Sequence, residues 1–458
     1  TACNINAVTK SGTNEFHGSA FFDYTDDSLY GDSTDGIARD LGSFEEKRYG
    51  VSIGGPIIPD TLFFFGAYEK LEGANIFGRG PADAGITQAE WDQIINIAET
   101  QYGYVSGGLP TSKAVEDEKF FGKIDWNIND RHRAAFTYTY NDGFNFSPSD
   151  NSSTQLSDGN HYYERGAKAE AYTASLYSDW TDDFSTEVRV SYLDLSNRQI
   201  PVAGPDFGEI QVNVGPTTVY LGADDSRQSN VLSYNTLSAK IAGTYRVDNH
   251  TFTGGYERQE LDIFNLFLQE TQGEWRFSNI ANFASGDFNY FEYSNSIGTN
   301  DPNDSAANFG YTVNTAYLQD EWDVDDRLSL VGGLRLEWYE TSDQPRLNQN
   351  FLNTYGFQNN ETMDGKSILQ PRFAFTYDAT DDIVVRGGLG LFSGGNPNVW
   401  MSNNYSNDGV SAADFICRDA NRCNFPGIVT LANPAQPNLS DFTYPGSGNP
   451  FYEVPQEG

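Results

Sequence analysis

Pairs of alternating apolar and polar segments, joined by short turns and separated by long polar stretches, recur along this sequence. That pattern restricts its fold more than any other feature. The clearest pair is 120–128 and 133–141. In the first, Gly122, Ile124, Trp126 and Ile128 fall on one face, with Lys123, Asp125 and Asn127 on the other. In the second, Ala134, Phe136, Tyr138 and Tyr140 share a face opposite Arg133, Ala135, Thr137 and Thr139. A period of two marks a strand with two different environments, and the intervening Asn129-Asp130-Arg131-His132 makes the pair a hairpin. Further segments of this kind occupy 18–24, 47–53, 62–72, 171–180, 185–197, 235–245, 251–262, 313–322, 327–339, 368–377 and 384–392, which makes thirteen predicted strands.

The connections between them alternate in length. Turns of about four to eight residues close the hairpins, whereas 25–46, 73–119, 142–170, 198–234, 263–312 and 340–367 are long and polar. Strict alternation puts every long connection at one end of the sheet, as in outer-membrane barrels with short periplasmic turns and long extracellular loops. A soluble sandwich or propeller has no need of that asymmetry. Tryptophan positions agree. Trp126, Trp180 and Trp322 adjoin short turns, as does Phe63-Phe64-Phe65, whereas Tyr140, Tyr192, Trp338 and Tyr339 lie near the long-loop ends. Two such belts match the aromatic girdles at the membrane interfaces. Gln319-Asp320-Glu321 fits poorly, because it places an acid on either face; it belongs near an interface or at a packed site.

Composition supports β structure and narrows the chemistry. Aromatic residues are 14% of the chain, with 45 Gly and only 2 Met. A net charge of −36 excludes nucleic acid as a partner, since binding it takes clustered Lys and Arg. Such a surface attracts cations, although acidity alone defines no site. Asp301-Pro302-Asn303-Asp304 and Gly222-Ala223-Asp224-Asp225 offer oxygen ligands of the kind calcium prefers, but neither matches an EF-hand. The four His are scattered, and no catalytic, cofactor or metal motif emerges. Gly387-Gly388-Leu389-Gly390 lies inside a strand pattern with no helix after it, so it is no nucleotide loop. Of three cysteines, Cys417 and Cys423 lie close enough for a local disulfide, with two free thiols as the alternative, and Cys3 stands apart. Within the long connections, the capping box Thr87-Gln88-Ala89-Glu90 followed by Trp91, Ile94, Ile95 and Ala98 predicts an amphipathic helix. A second helical turn is predicted after Ser278.

Several ordered motifs then resemble one family. Ile5-Asn6-Ala7-Val8-Thr9-Lys10-Ser11-Gly12-Thr13-Asn14-Glu15-Phe16-His17-Gly18 is similar to the plug-to-barrel junction of Oar-like TonB-dependent receptors. Gly54-Gly55-Pro56-Ile57-Ile58 with Leu62-Phe63-Phe64-Phe65-Gly66 looks like that family's next hairpin. Tyr317-Leu318-Gln319-Asp320-Glu321-Trp322, Gly333-Leu334-Arg335, Gln370-Pro371-Arg372-Phe373 and 385–392 resemble its later strands.

The resemblance implies an all-β transmembrane antiparallel barrel of about twenty-two strands around a plug, with some thirteen present here. Residues 1–12 would end the plug, 13–392 would form barrel strands with their loops, and 393–458 would be a long extracellular loop with the barrel continuing beyond it. The chain starts at Thr1 without Met or a signal peptide, so more of the protein is expected beyond both ends. The implied function is TonB-dependent transport of an unidentified ligand across the outer membrane, with the TonB complex acting through a TonB box ahead of residue 1. Thr9, Lys10, Ser11, Gly12, His17 and Gly18 form the expected plug–barrel junction. Ligand contacts in the loops are candidates at Tyr162, Tyr163, Phe264, Phe267, Tyr290 and Phe291, which could equally pack loop on loop. No catalytic residue and no cofactor is expected. The alternatives are a passive porin, against which the junction motif speaks, and an adhesive or structural surface protein.

Overall fold

The computed structural model describes residues 8–31, 33–34, 37–38, 42–204 and 207–418. Thirteen strands, each antiparallel to its neighbours, form one continuous sheet in chain order. They are His17–Asp26, Glu45–Ile58, Leu62–Ile76, Ser112–Asn129, His132–Ser147, Tyr163–Asp179, Phe184–Pro201, Ser229–Val247, His250–Leu268, Ala307–Asp325, Leu328–Glu340, Ser367–Thr380 and Ile383–Gly390. Every predicted strand is present, and the short turns all fall at one end. At the other end the strands outrun the prediction. Tyr163–Asp179 starts eight residues before position 171, and Ser229–Val247 starts six before position 235. A strand crosses a bilayer in about 9–11 residues, and several here have 19. The surplus continues the sheet above the membrane. There Glu164, Arg165, Lys168 and Glu170 replace the apolar residues that make the alternation recognisable.

Register assigns the two faces. Ile241, Tyr256, Ala316, Leu336 and Leu369 are successive cross-strand partners on one face. Gly254, Leu318, Leu334 and Pro371 form the next row of that face, on which Leu318 is 60% and Leu334 55% exposed. Apolar side chains turned outward in a continuous band suit lipid, not water. The opposite face carries Asp125, Lys123, Glu187, Arg189, Lys240, Glu257 and Arg335. Trp126 and Trp322 lie on the apolar face near the turns, and Tyr140, Tyr192 and Trp338 lie on it near the loops. Tyr339 departs from the expected belt. Its pleat position turns it inward, where it is 8% exposed and its hydroxyl lies 2.9 Å from acceptor oxygens of both Glu337 and Asn396. Asp320 does sit at the interface: its carboxylate pairs with His250 at 2.8 Å, and that imidazole stacks between Phe252 and Trp322.

The long connections are not irregular. Gln155–Ser157, Thr217–Leu221, Glu209–Val214, Glu274–Phe277, Tyr290–Ser296 and Ala412–Cys417 pair in space into a second, six-stranded sheet. Its strands alternate Leu156, Ile210, Val212, Val219, Leu221, Trp275, Phe277, Phe291, Tyr293 and Phe415 on one face. Against that face pack α1 (Gln88–Tyr102), through Trp91, Ile94, Ile97 and Ala98, and α2 (Ile280–Ser285), through Phe283. The predicted capping box is formed: Glu90 N donates to Thr87 Oγ1 at 3.2 Å, and Thr87 N donates to Glu90 Oε2 at 2.8 Å. Ile97, not Ile95, completes the buried stripe. Two further helices, α3 (Gln349–Tyr355) and α4 (Asn398–Ser406), lie outside the predicted elements. Twenty buried residues in this core make the loops a folded cap. Burying each large apolar side chain stabilises it by about 1.5–3 kcal/mol.

Candidate functional site

Two surfaces could meet a ligand: the inner face of the wall and the polar face of the cap. On the inner face the charges are paired both within and across strands. Glu187 holds both Lys240, at 2.9 Å, and Arg189, at 2.8 Å. Arg335 reaches Glu257 at 3.3 Å and Glu337 at 3.5 Å. Arg189, Lys240, Glu257, Arg335 and Glu337 line, with Asn396, a recess of about 320 Å³. Pairing lowers the cost of setting charges against a lumen wall, while each side chain keeps hydrogen-bonding capacity free for a polar solute.

The segment ahead of the first strand lies against this inner face. Lys123, paired with Asp125 at 3.3 Å, donates to Ser11 Oγ at 2.8 Å. Gly12 sits so close to the wall that a Cβ would stand 2.3 Å from the Phe64 carbonyl oxygen and 2.8 Å from that of Gly55. Asn14 and Asp60 exchange two hydrogen bonds, of 2.5 and 2.7 Å, tying the segment to the first short turn. Lys10, Ser11 and Gly12 share a crevice with His17 and Gly18, whereas Thr9 is exposed and does not line it. Residues 1–7 lie outside the described ones.

The cap sheet turns its other face to a concentration of acids. Gln211 donates from one amide nitrogen to Glu209 at 2.6 Å and to Glu274 at 2.7 Å. The parallel register that sets Glu209 beside Glu274 is what brings them together. On one side of this bridge, ligand atoms of Asp150, His161, Glu209 and Asp224 lie within 4.8 Å of one another. His161 is fully buried. Its Nδ1 lies 3.1 Å from the Gly222 carbonyl oxygen, which can only accept, and its Nε2 lies 3.0 Å from Asp150. Burial opposes its charge, but the Asp150 bond and the Glu209 and Asp224 carboxylates prevail and lift it to about 9. On the other side Asp225, Glu270 and Glu274 form a second group within the same span. Burial, reinforced by Glu292, Asp225, Glu274 and Asp414, pushes Glu270 up to about 9.

Other anticipated residues resolve differently. Tyr162, Tyr163 and Phe291 are buried, so they pack within the cap. Phe267 stays 45% exposed. Tyr290 is covered by the guanidiniums of Arg276 and Arg418, 4.3 and 5.6 Å from its ring centre. Cys417 is disulfide-bonded, and its expected partner Cys423 lies outside the described residues. Asp301 folds back on Asn303 as a local helix cap, whereas Asp224 and Asp225 each join a carboxylate group. The sequence singles out those two aspartates but not their partners.

A polar-lined, girdled wall with a folded cap over its long-loop end defines an outer-membrane β-barrel. The chain belongs to the outer membrane beta barrel domain family, which matches residues 8–76 and 95–457. Its place is the bacterial outer membrane, with the long loops extracellular. It is 31% identical to the TonB-dependent transporter Oar of Myxococcus xanthus over 146 residues, covering 29% of this chain and 13% of Oar, so the Oar-like resemblance of its motifs is borne out. Its fold is similar to the outer membrane transporter YddB of Escherichia coli (TM-score 0.51, 14% identity, 86% of this chain and 46% of that one). A variant of the ferric enterobactin receptor of Pseudomonas aeruginosa is equally similar (0.51, 13% identity, 89% and 49%). The siderophore receptor PirA of Acinetobacter baumannii is another (0.50, 15% identity, 89% and 48%). The chain thus spans about half the length of these solved relatives. The named relatives are transporters and receptors, not enzymes.

Proposed function

We propose that this chain supplies much of the wall and the ligand-capturing cap of a TonB-dependent active transporter. The observation that supports it is the segment seated on the inner wall: Ser11 on Lys123, Gly12 against Phe64 and Gly55, and Asn14 on Asp60. A segment ahead of the first strand, seated on the lumen face, is what a plug entering the barrel would leave there, and a passive porin has no plug. In this reading residues up to 12 end a plug, 13–392 build the barrel, and 393–458 form a long extracellular loop whose described part, to residue 418, joins the cap. A ligand bound at the cap would pass along the paired charges of the lumen once the TonB complex, acting on a TonB box ahead of residue 1, displaces the plug. No side chains here are assigned covalent chemistry on the ligand.

Nutrient depletion from a complex medium tests this whatever the ligand is. Cells lacking the receptor and cells lacking TonB should leave the same compounds behind. Depletion that needs the receptor but not TonB would indicate a porin. Unchanged depletion with lost surface attachment would indicate an adhesin.

A further inference from the structure

The acids on the cap sheet's polar face are gathered by the fold, and two of them, Asp225 and Glu270, have no counter-charge of their own among the described residues. Asp225 ends the connection that leads into the wall strand Ser229–Val247. Glu270 and Glu274 follow the neighbouring wall strand His250–Leu268. A backbone bond from Glu270 N to the Asp225 carbonyl, at 3.3 Å, joins the two segments. Their carboxylate oxygens converge within 4.8 Å. Glu274 is ion-paired to Arg276, but neither Asp225 nor Glu270 has an ion pair among the described residues. Glu292 and Asp414 share the face. Glu292 lies opposite Glu274 across the strands, and Asp414 lies opposite Ser294.

Ser294 is the independent sign that something is held here. It is 1% exposed, and its hydroxyl has no hydrogen-bond partner. Its amide donates to the Glu270 carbonyl at 3.2 Å. The pleat turns its side chain away from Phe291 and Tyr293, which are in the apolar core, and onto the carboxylate face beside Glu292. A buried hydroxyl left without a partner costs about 1–3 kcal/mol, which an additional ligand at that face would relieve.

We propose that Asp225, Glu270 and Glu274 bind a hard divalent cation of the calcium class at the junction of cap and wall. The donors are oxygens, and Asp225 and Glu270, which are only partly buried, leave room for water and for the larger, irregular shell that calcium accepts. The neighbouring group of Asp150, His161, Glu209 and Asp224 supplies its own cation, the imidazolium, and is not assigned a metal. Because Asp225 and Glu270 stand at the outer ends of two paired wall strands, the ion would clamp the cap to the top of that hairpin. The proposal does not depend on transport.

The test uses the full-length receptor in detergent, stripped with a chelator and titrated calorimetrically with calcium chloride. Wild type should bind saturably, and magnesium should bind more weakly. Glu270→Gln and Asp225→Asn should each weaken calcium binding about tenfold or more, since affinity follows ligand charge. Asp301→Asn, in the separate acidic turn, should leave it unchanged. Proteolysis of the cap supplies a second readout. Calcium should protect wild type but not Glu270→Gln. Absence of calcium binding to folded wild type overturns the proposal. So does retention of wild-type affinity in folded Glu270→Gln and Asp225→Asn.

Discussion

At the residue scale, Gly12 and His161 make the sharpest claims. Gly12 lies against two backbone carbonyls, which cannot swing aside as a flexible side chain would. Gly12→Ala should therefore lift the segment from the wall and weaken the Ser11–Lys123 bond. We expect a barrel that still assembles but admits a bulky antibiotic to which wild-type cells are resistant; unaltered sensitivity would count against close seating. His161 faces Asp150, Glu209 and Asp224, with the Tyr220 ring beside it. Its folded value near 9 exceeds the ordinary imidazole value of about 6.5. The contribution of the charged form is thus complete below about pH 6.5 and is lost as pH rises through about 9. In chelator, hydrogen exchange in the cap should accelerate across that interval, and His161→Asn should flatten the dependence.

At the scale of elements, parity governs the wall and capping governs the helices. Leu318 and Gln319 are adjacent in one strand but face lipid and lumen respectively. Leu318→Arg should cost about 2–4 kcal/mol, the penalty for a cation on the lipid face near mid-membrane, whereas Gln319→Arg should be tolerated. Refolding titrations in lipid would report the difference, and equal costs would overturn the assignment of faces. In the cap, Tyr104 donates to the buried Asp158 and accepts from Gly222 N at 3.0 Å. Tyr104→Phe should cost about 1–3 kcal/mol, against about 1 kcal/mol for Thr87→Ala at the cap of α1. Both losses should appear in cap proteolysis and leave the wall's heat-modifiable gel shift intact.

The same contrast explains what could be read from sequence. Wall strands announce themselves because lipid demands an apolar residue at every second position for nine residues or more, as from Phe120 to Ile128. The cap strand Glu209–Val214 alternates just as cleanly, with Ile210, Val212 and Val214 opposite Glu209, Gln211 and Asn213. It is only six residues long, and it pairs in parallel with Glu274–Phe277, some sixty positions away. Short length hides the element, and distant pairing hides its partner. The carboxylate groups were illegible for that reason: Asp224 and Asp225 stand out in sequence, but Glu209, Glu270 and Glu274 join them only through the sheet's register. The junction was legible because it is local, whereas its seat on Lys123, Phe64 and Asp60 was not.

At the scale of the whole molecule, wall and cap differ in how far apart their partners lie in the chain. Each wall strand pairs with its sequence neighbours, so the wall can grow hairpin by hairpin. The cap sheet has no such order: Ala412–Cys417 pairs with Tyr290–Ser296, and Gln155–Ser157 with Thr217–Leu221. Loop-closure entropy delays contacts so distant until the intervening chain is already fixed. The cap strand Ala412–Cys417 follows the thirteenth wall strand, so its pairing with Tyr290–Ser296 closes a loop that contains four wall strands and is favoured once those are in place. The wall therefore acts as the template on which the binding surface folds, and assembly proceeds from membrane to mouth.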